Sequence, residues 1–338
     1  MTDLGFFTRL LDDAAAPQRY RNATEQIRHA EQLGYATAWV AQHHFHGAEG
    51  GLPSPLLLLA HVGALTSTIR LGTGVICLPM EDAVRTAEDA SVLDALTGGR
   101  LEVGIATGGI PASFGAWGLD FADRHQLAND KLAVLRSAWR GEPINATDNV
   151  LYPAAFGLDR RLWQATLSAF GGDRAGRDGD GLMLSRTQPR PEDAPRASLA
   201  DVQVPIVDAY RAALPVGRAP RVLASRTIFV ADTTAEAYRW AESGLRAAVA
   251  ASPRTFGSRV AADAPLADLL AVTDSFVGSP QQVAEALAAD ATLALATEVS
   301  AQVHSVDAPH AQVLRSLELL ATEVAPALGW GEQGRTAA

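Results

Sequence analysis

Short runs of β-branched and aromatic residues alternate along this chain with longer segments whose apolar positions recur every three to four residues. That alternation predicts parallel strands joined by crossover helices. "LGFFT" predicts the first strand, and "QRYRNATEQIRHAEQLG" an amphipathic helix stopped at Gly34. "YATAWVAQ" is the second strand, with the apolar helix "PLLLLAHVGALT" after Pro53 and Ser54. "IRLGTGVICL", "RLEVGIATGG", "RRLWQATLS", "DGLMLSR" and "RVLASRTIFVAD" continue as strands three to seven, and "ATLALATEVS" as the eighth. Residues 187–220, rich in proline and arginine with one helical patch, are long for a connection and predict an insertion after strand six. Residues 252–278 form a second loose stretch, and 331–338 predict a frayed tail. Eight strands alternating with helices, in one composition class, predict an α/β fold: a single (β/α)8 TIM barrel over 1–330, with a doubly wound sheet as the rival. A barrel demands that functional residues follow the strands, on the C-terminal face.

Composition narrows the function. A net charge of −10 and a pI near 5.3 argue against nucleic acid, whose binders carry a basic patch. No apolar stretch approaches the roughly 20 residues of a membrane span, and "MTDLGFFTRLLDD" is acidic where a secretory signal is basic. A cytoplasmic protein without a membrane partner is expected. Cys77 is the only cysteine, which excludes an internal disulfide, and its apolar context predicts a buried, inert thiol. Lys131 is the only lysine, so Schiff-base chemistry would rest on one residue inside a helical pattern.

The candidate chemistry sits where a barrel requires it. "HHFH" follows strand two, placing His43, His44 and His46 together. A metal pair of the HxH kind needs further ligands from later strands, and none stands at the ends of strands four to six, so no metal is expected. A polar loop or an acid–base or cofactor-facing role remains; histidine suits the latter because it titrates near neutrality. Thr107, Gly108 and Gly109 follow strand four. After strand five, "LSAFGGDRAG" runs from a serine through two glycines into a short helix. Such a turn suits either a phosphate, held by free helix N–H groups and a hydroxyl, or a tight connection needing glycine.

In these stretches the sequence resembles the bacterial-luciferase-like, flavin-dependent monooxygenases. The resemblance runs through "AEQLGYATAWVAQHHFHG", "IRLGTGVICLPMEDAVRTAEDASVLDALTGGRLEVGIATGG", "LSAFGGDRAGRDGDGLMLSR" and "VGSPQQVAEAL", about three quarters of the chain. It implies a (β/α)8 barrel using reduced FMN from a separate NAD(P)H:flavin reductase, and O2, to oxidise a small organic substrate through a flavin peroxide. The insertion would then serve as a lid that excludes water. Deazaflavin-dependent hydride transfer and non-catalytic flavin binding are the alternatives. By position the resemblance assigns His43 and His44 to catalysis. It assigns Gly74 and Val75 to a cis peptide against the flavin, and Leu167, Ser168, Gly171 and Gly172 to the phosphate and ring edge, with Gly108 nearby. Glu88 matches a family acidic residue. Thr107 stands where the luciferases carry a phosphate-binding arginine, so Arg174 or Arg186 is expected to compensate. Arg186 also replaces a bulky aromatic, so light emission is not expected. The resemblance and the apolar second helix together imply a homodimer.

Overall fold

The computed structural model describes residues 2–331 apart from 46, 156, 252–255, 257–259, 262 and 304–307. Expectations for His46 and for the tail at 332–338 therefore lie outside the described residues. The strands, all parallel, are β1 (Asp3–Thr8), β2 (Thr37–Val40), β3 (Arg70–Cys77), β4 (Leu101–Ala106), β5 (Leu162–Ala165), β6 (Gly181–Leu184), β7 (Val222–Val230), β8 (Ser275–Gly278) and β9 (Glu298–Gln302). Eight of them close a ring in the order β1-β2-β3-β4-β5-β6-β7-β9, with β9 pairing back onto β1. This is the expected TIM barrel.

Three features differ from expectation. The eighth barrel strand begins only at Glu298, because "LAL" at Leu293–Leu295 forms a 3-10 turn with Leu293 buried. Leucine and alanine lack the β-branching that favours strand there, and the β-branched residues come later. The loose stretch at 252–278 contains α9 (Leu266–Val272) and β8, which pairs with the C-terminal half of β7 outside the ring. Much of the expected insertion is α7 (Leu199–Ala213), the ordinary crossover helix between β6 and β7. Ser198 caps it in a capping box with Asp201, and Ile206, Val207 and Tyr210 pack it against α6 (Ala169–Asp178) and β6. The rest of it is loop, at about 185–198 and 214–221, and the first of these reaches the barrel mouth through Ser185, Arg186 and Thr187.

Inside the ring, two indoles do the filling. The Trp39 and Trp163 rings meet edge-on at 5.6 Å, with Met183 and Leu223 beside them. Glycine makes this possible: a Cβ on Gly72 would lie 2.2 Å from the Trp39 ring, and one on Gly181 equally close to Trp163. Each indole N–H donates to a buried carboxylate near the N-terminal end, Trp39 to Glu298 at 2.6 Å and Trp163 to Glu102 at 2.7 Å. Arg70 reaches Glu298 (3.4 Å) and Asp3 (3.0 Å), while Arg221 reaches Glu102 (3.8 Å) from above the Trp163 ring. Burial lifts the Glu298 carboxyl from about 4.5 to about 7 despite Arg70 and Trp39. With the indoles and their carboxylates plugging the N-terminal half, an opening is left at the other end. Among the described residues, no helix is long and apolar enough to cross a membrane.

Candidate active site

A cavity of about 990 Å³ opens at the C-terminal ends of the strands. It collects residues from β1 through β7, as the barrel argument requires. Of the expected site residues, His43, His44, Gly74, Val75, Thr107, Gly108, Leu167, Ser168, Gly171, Arg174 and Arg186 all line it. Gly172 does not. A Cβ there would lie 2.5 Å from the Ile206 carbonyl, so this glycine lets α7 approach α6. Glu88 also lies elsewhere, half-exposed and paired with Arg85 on α3 (Ala83–Leu96).

The β5–α6 turn has the form of an anion cradle. Ser168 is the N-cap of α6, and its Oγ accepts from the Gly171 N–H at 3.2 Å. Thr166 Oγ1 in turn accepts from the Ser168 N–H at 3.2 Å, which fixes the turn. A Cβ on Gly171 would fall 1.9 Å from that Oγ1, so glycine holds the cradle open. Arg174, one turn further along α6, is steered by Gln164 and Asn129, each at 3.0 Å. Asn129 belongs to α5 (Arg124–Trp139), whose first residue, Arg124, stacks 4.1 Å over the Phe121 ring. Arg124 and Asn129 line the cavity too.

The wall opposite the helix is built by the loop after β2. His43 is fixed by its backbone N–H donating to the Leu52 carbonyl at 2.9 Å, and by Gly50, where a Cβ would lie 2.5 Å from the ring. Burial, then Arg9, His44 and Arg186, lower its pKa from 6.5 to about 4, so the ring is neutral at physiological pH. Burial likewise lowers the pKa of His44, although Glu81 opposes it. The His44 Nε2 is buried without a hydrogen-bond partner, and its ring meets Trp117 edge-on at 4.6 Å. The Gly74–Val75 peptide is cis, as the resemblance implied.

The remaining sequence expectations resolve as follows. Cys77 lines the cavity rather than lying fully buried, and burial raises its thiol to about 11, so it stays protonated at neutral pH. Lys131 donates to the Pro79 and Glu81 carbonyls, both at 2.6 Å, and props the segment after β3. Arg186 donates to Thr227 on β7 at 3.3 Å, not toward the cradle. Sequence reading missed Arg9, Arg124 and Ser225, which also line the cavity. Arg9 follows β1 directly, a position the barrel rule flags. No local signal marks the other two.

A protein family described as "Luciferase-like monooxygenase" matches residues 4–298. The 4-hydroxyprotoasukamycin monooxygenase of Streptomyces nodosus subsp. asukaensis is 30% identical over 325 residues, covering 91% of this chain and 86% of that protein. Other likenesses are partial: an uncharacterized protein y4vJ of Sinorhizobium fredii is 32% identical over 49% of each chain. In fold, the oxygenating constituent of 3,6-diketocamphane monooxygenase from Pseudomonas putida, solved with FMN, superposes with a TM-score of 0.79 at 19% identity. That superposition covers 97% of this chain and 98% of that one. A family match over most of the chain and a relative of nearly full length agree with the barrel and its mouth: this chain belongs to the luciferase-like monooxygenase family.

Proposed function

We propose that the protein is an FMN-dependent monooxygenase acting on a small organic substrate, with reduced FMN delivered by a separate NAD(P)H:flavin reductase. The observation that carries this reading is the convergence, in one cavity, of an open N-cap cradle and two histidines held at the opposite wall. The cradle fits a phosphate: a capped helix start, a glycine whose Cβ would close it, and Arg174 with Arg124 as cations. Those two arginines take the place of the arginine missing at Thr107. The largely apolar walls around Gly74, Val75 and Met183 fit a flat ring. Bound there, reduced FMN supplies the electrons that activate O2.

The chain's own residues orient and desolvate. His43, kept neutral, can accept a proton or a hydrogen bond at a ring nitrogen without placing a charge in the cavity. His44 offers its unpartnered Nε2 from the same loop. The relative from Acinetobacter baylyi named as the oxygenase component of a flavin-dependent trigonelline monooxygenase supports a two-component arrangement. Leu57, Val92 and Leu96 stand exposed on α2 (Pro55–Gly63) and α3, a face suited to a homodimer, and a cytoplasmic location suits a reductase partner.

Fluorescence titration with FMN and with a deazaflavin tests the cofactor, and turnover with a generic flavin reductase under isotope-labelled dioxygen tests the chemistry. FMN binding and labelled product are expected. A preference for deazaflavin with hydride transfer and no label would replace the reading, as would FMN binding without any turnover across a broad substrate panel.

A further inference from the structure

Among the described residues, four arginines and three histidines line the cavity, and no aspartate or glutamate does. In a chain with ten more acidic than basic side chains, that segregation is a property of the site. Arg124 and Arg174 stand by the cradle. Arg9 and Arg186 stand apart from it, after β1 and β6, and neither has an ion-pair partner among the described residues. Arg9 donates to the Glu49 backbone carbonyl, and Arg186 to the Thr227 hydroxyl. Asp274 attracts Arg186 at longer range, but its carboxylate is taken by Arg190 and by Thr187 at 2.9 Å. Taking a guanidinium out of water costs several kcal/mol unless an anion meets it. Here two are taken out of water together: Arg9 depresses the proton affinity of Arg186, and Glu49 attracts Arg9 only at longer range.

A second, independent observation lies on β7. Leu223, Ser225 and Thr227 share one strand face, so Ser225 sits one pleat below the residue that anchors Arg186. Ser225 is 8% exposed, lines the cavity, and its Oγ has no hydrogen-bond partner. Buried hydroxyls are rarely left unpaired without a ligand to meet them.

We propose that Arg186, Arg9 and Ser225 form a second anion subsite that binds the ionised group of the substrate, a carboxylate or an enolate, and sets it beside His43. The substrate class is then an organic anion with an apolar body, the body facing Phe7 and Leu223 on the β7–β1 side. This inference rests on the flavin phosphate occupying the Ser168 cradle, which leaves the β7–β1 side for substrate. Arg186 and Arg9 are specificity-determining residues on this account, and His43 remains the candidate for proton transfer.

Calorimetric titration of the full chain with 2-naphthoate and its neutral isostere 2-naphthamide, with and without saturating FMN, tests the subsite. Naphthoate is expected to bind at least roughly tenfold more tightly than the amide, as expected for a charge-assisted hydrogen bond. FMN and inorganic phosphate should fail to displace it. In Arg186→Met the preference should collapse toward parity while FMN affinity changes less than about twofold; Ser225→Ala, the gentler change, should lose about three- to tenfold in naphthoate affinity alone. Equal binding of the two probes, displacement of naphthoate by phosphate, or an Arg186→Met variant that loses FMN as much as naphthoate would each overturn the subsite. A wild-type protein that ignores FMN but keeps an Arg186-dependent naphthoate preference would instead retain the subsite and sink the flavin reading.

Discussion

At the N-terminal end of the barrel, Arg70 and Arg221 face Glu298, Asp3 and Glu102 at 3.0–3.8 Å, whereas at the C-terminal mouth Arg9, Arg124, Arg174 and Arg186 line a cavity to which no described aspartate or glutamate contributes. The same residue type therefore serves two ends. Below, charge is neutralised internally and tied to two indoles, so the network belongs to folding. Above, the guanidiniums have no ion-pair partner among the described residues, the arrangement that the proposed anion sites require. The division of a (β/α)8 barrel into a stability face and an activity face is thus visible in the pairing of its arginines.

The sharpest way to break the contrast is to remove one acid from below and one base from above. Glu298→Ala strands the Trp39 N–H and part of Arg70, and should cost about 3–5 kcal/mol in denaturant unfolding. Arg186→Met removes a desolvated charge with no acid partner, and should leave stability within about 1 kcal/mol of wild type. Equal losses from both would erase the distinction.

Next in size is the catalytic contrast at the mouth. His43→Ala should lower substrate oxygenation by about 10²- to 10⁴-fold while FMN affinity, which the proposal assigns to the Ser168 cradle, stays near wild type. Single-turnover oxygenation and FMN titration read the two separately. Unchanged oxygenation would remove His43 from the mechanism.

Acidity should separate the two ends by sign. Glu298 titrates near 7 folded against 4.5 unfolded, so its contribution is complete below pH 4.5 and lost as pH rises through 7. His43 titrates near 4 folded against 6.5 unfolded, so its contribution is present above pH 6.5 and lost as pH falls through 4. Each is worth at most about 3.5 kcal/mol at ~1.4 kcal/mol per unit, and solvent at the mouth trims the histidine's share. The wild-type advantage over Glu298→Gln should shrink from pH 4.5 to 7, and that over His43→Asn should grow from pH 4 to 6.5. Parallel slopes would contradict the assigned environments.

Much of this was legible where the signal is local. Strand–helix alternation narrows the fold to a barrel or a doubly wound sheet, and "HHFH" and "LSAFGG" sit just after strands, so the histidine cluster, Ser168 and Gly171 stand out in the chain, with the resemblance singling out His43. Legibility failed where meaning comes from convergence. Ser225 lies in the middle of a fully buried nine-residue strand with nothing in its neighbours to mark its orphaned hydroxyl. Arg124 follows a long irregular segment after β4, and only the fold returns it to the cradle. The length of 187–220 and its prolines and arginines point to an insertion and mask the crossover helix α7. Its buried Ile206, Val207 and Tyr210 override that composition.

The smallest effects come from two adjacent glycines that the sequence cannot tell apart. A methyl on Gly172 would meet the Ile206 backbone carbonyl at 2.5 Å, and backbone in a packed helix yields only if α7 moves. A methyl on Gly171 would meet the Thr166 Oγ1 at 1.9 Å and its Cβ at 2.6 Å, so hydroxyl rotation does not clear it and the turn itself must shift, releasing the Ser168 N–H that Thr166 holds. Gly172→Ala should therefore cost about 1–3 kcal/mol of stability with FMN affinity nearly intact. Gly171→Ala should cost a similar amount, about 1–3 kcal/mol, yet also weaken FMN binding by about tenfold, because it distorts the cradle and frees its serine. Thermal unfolding and FMN titration of both variants decide the matter. Were Gly172→Ala the one to lose FMN, the helix start would be an ordinary turn, and the anion-binding role of the β5–α6 corner would pass to the arginines alone.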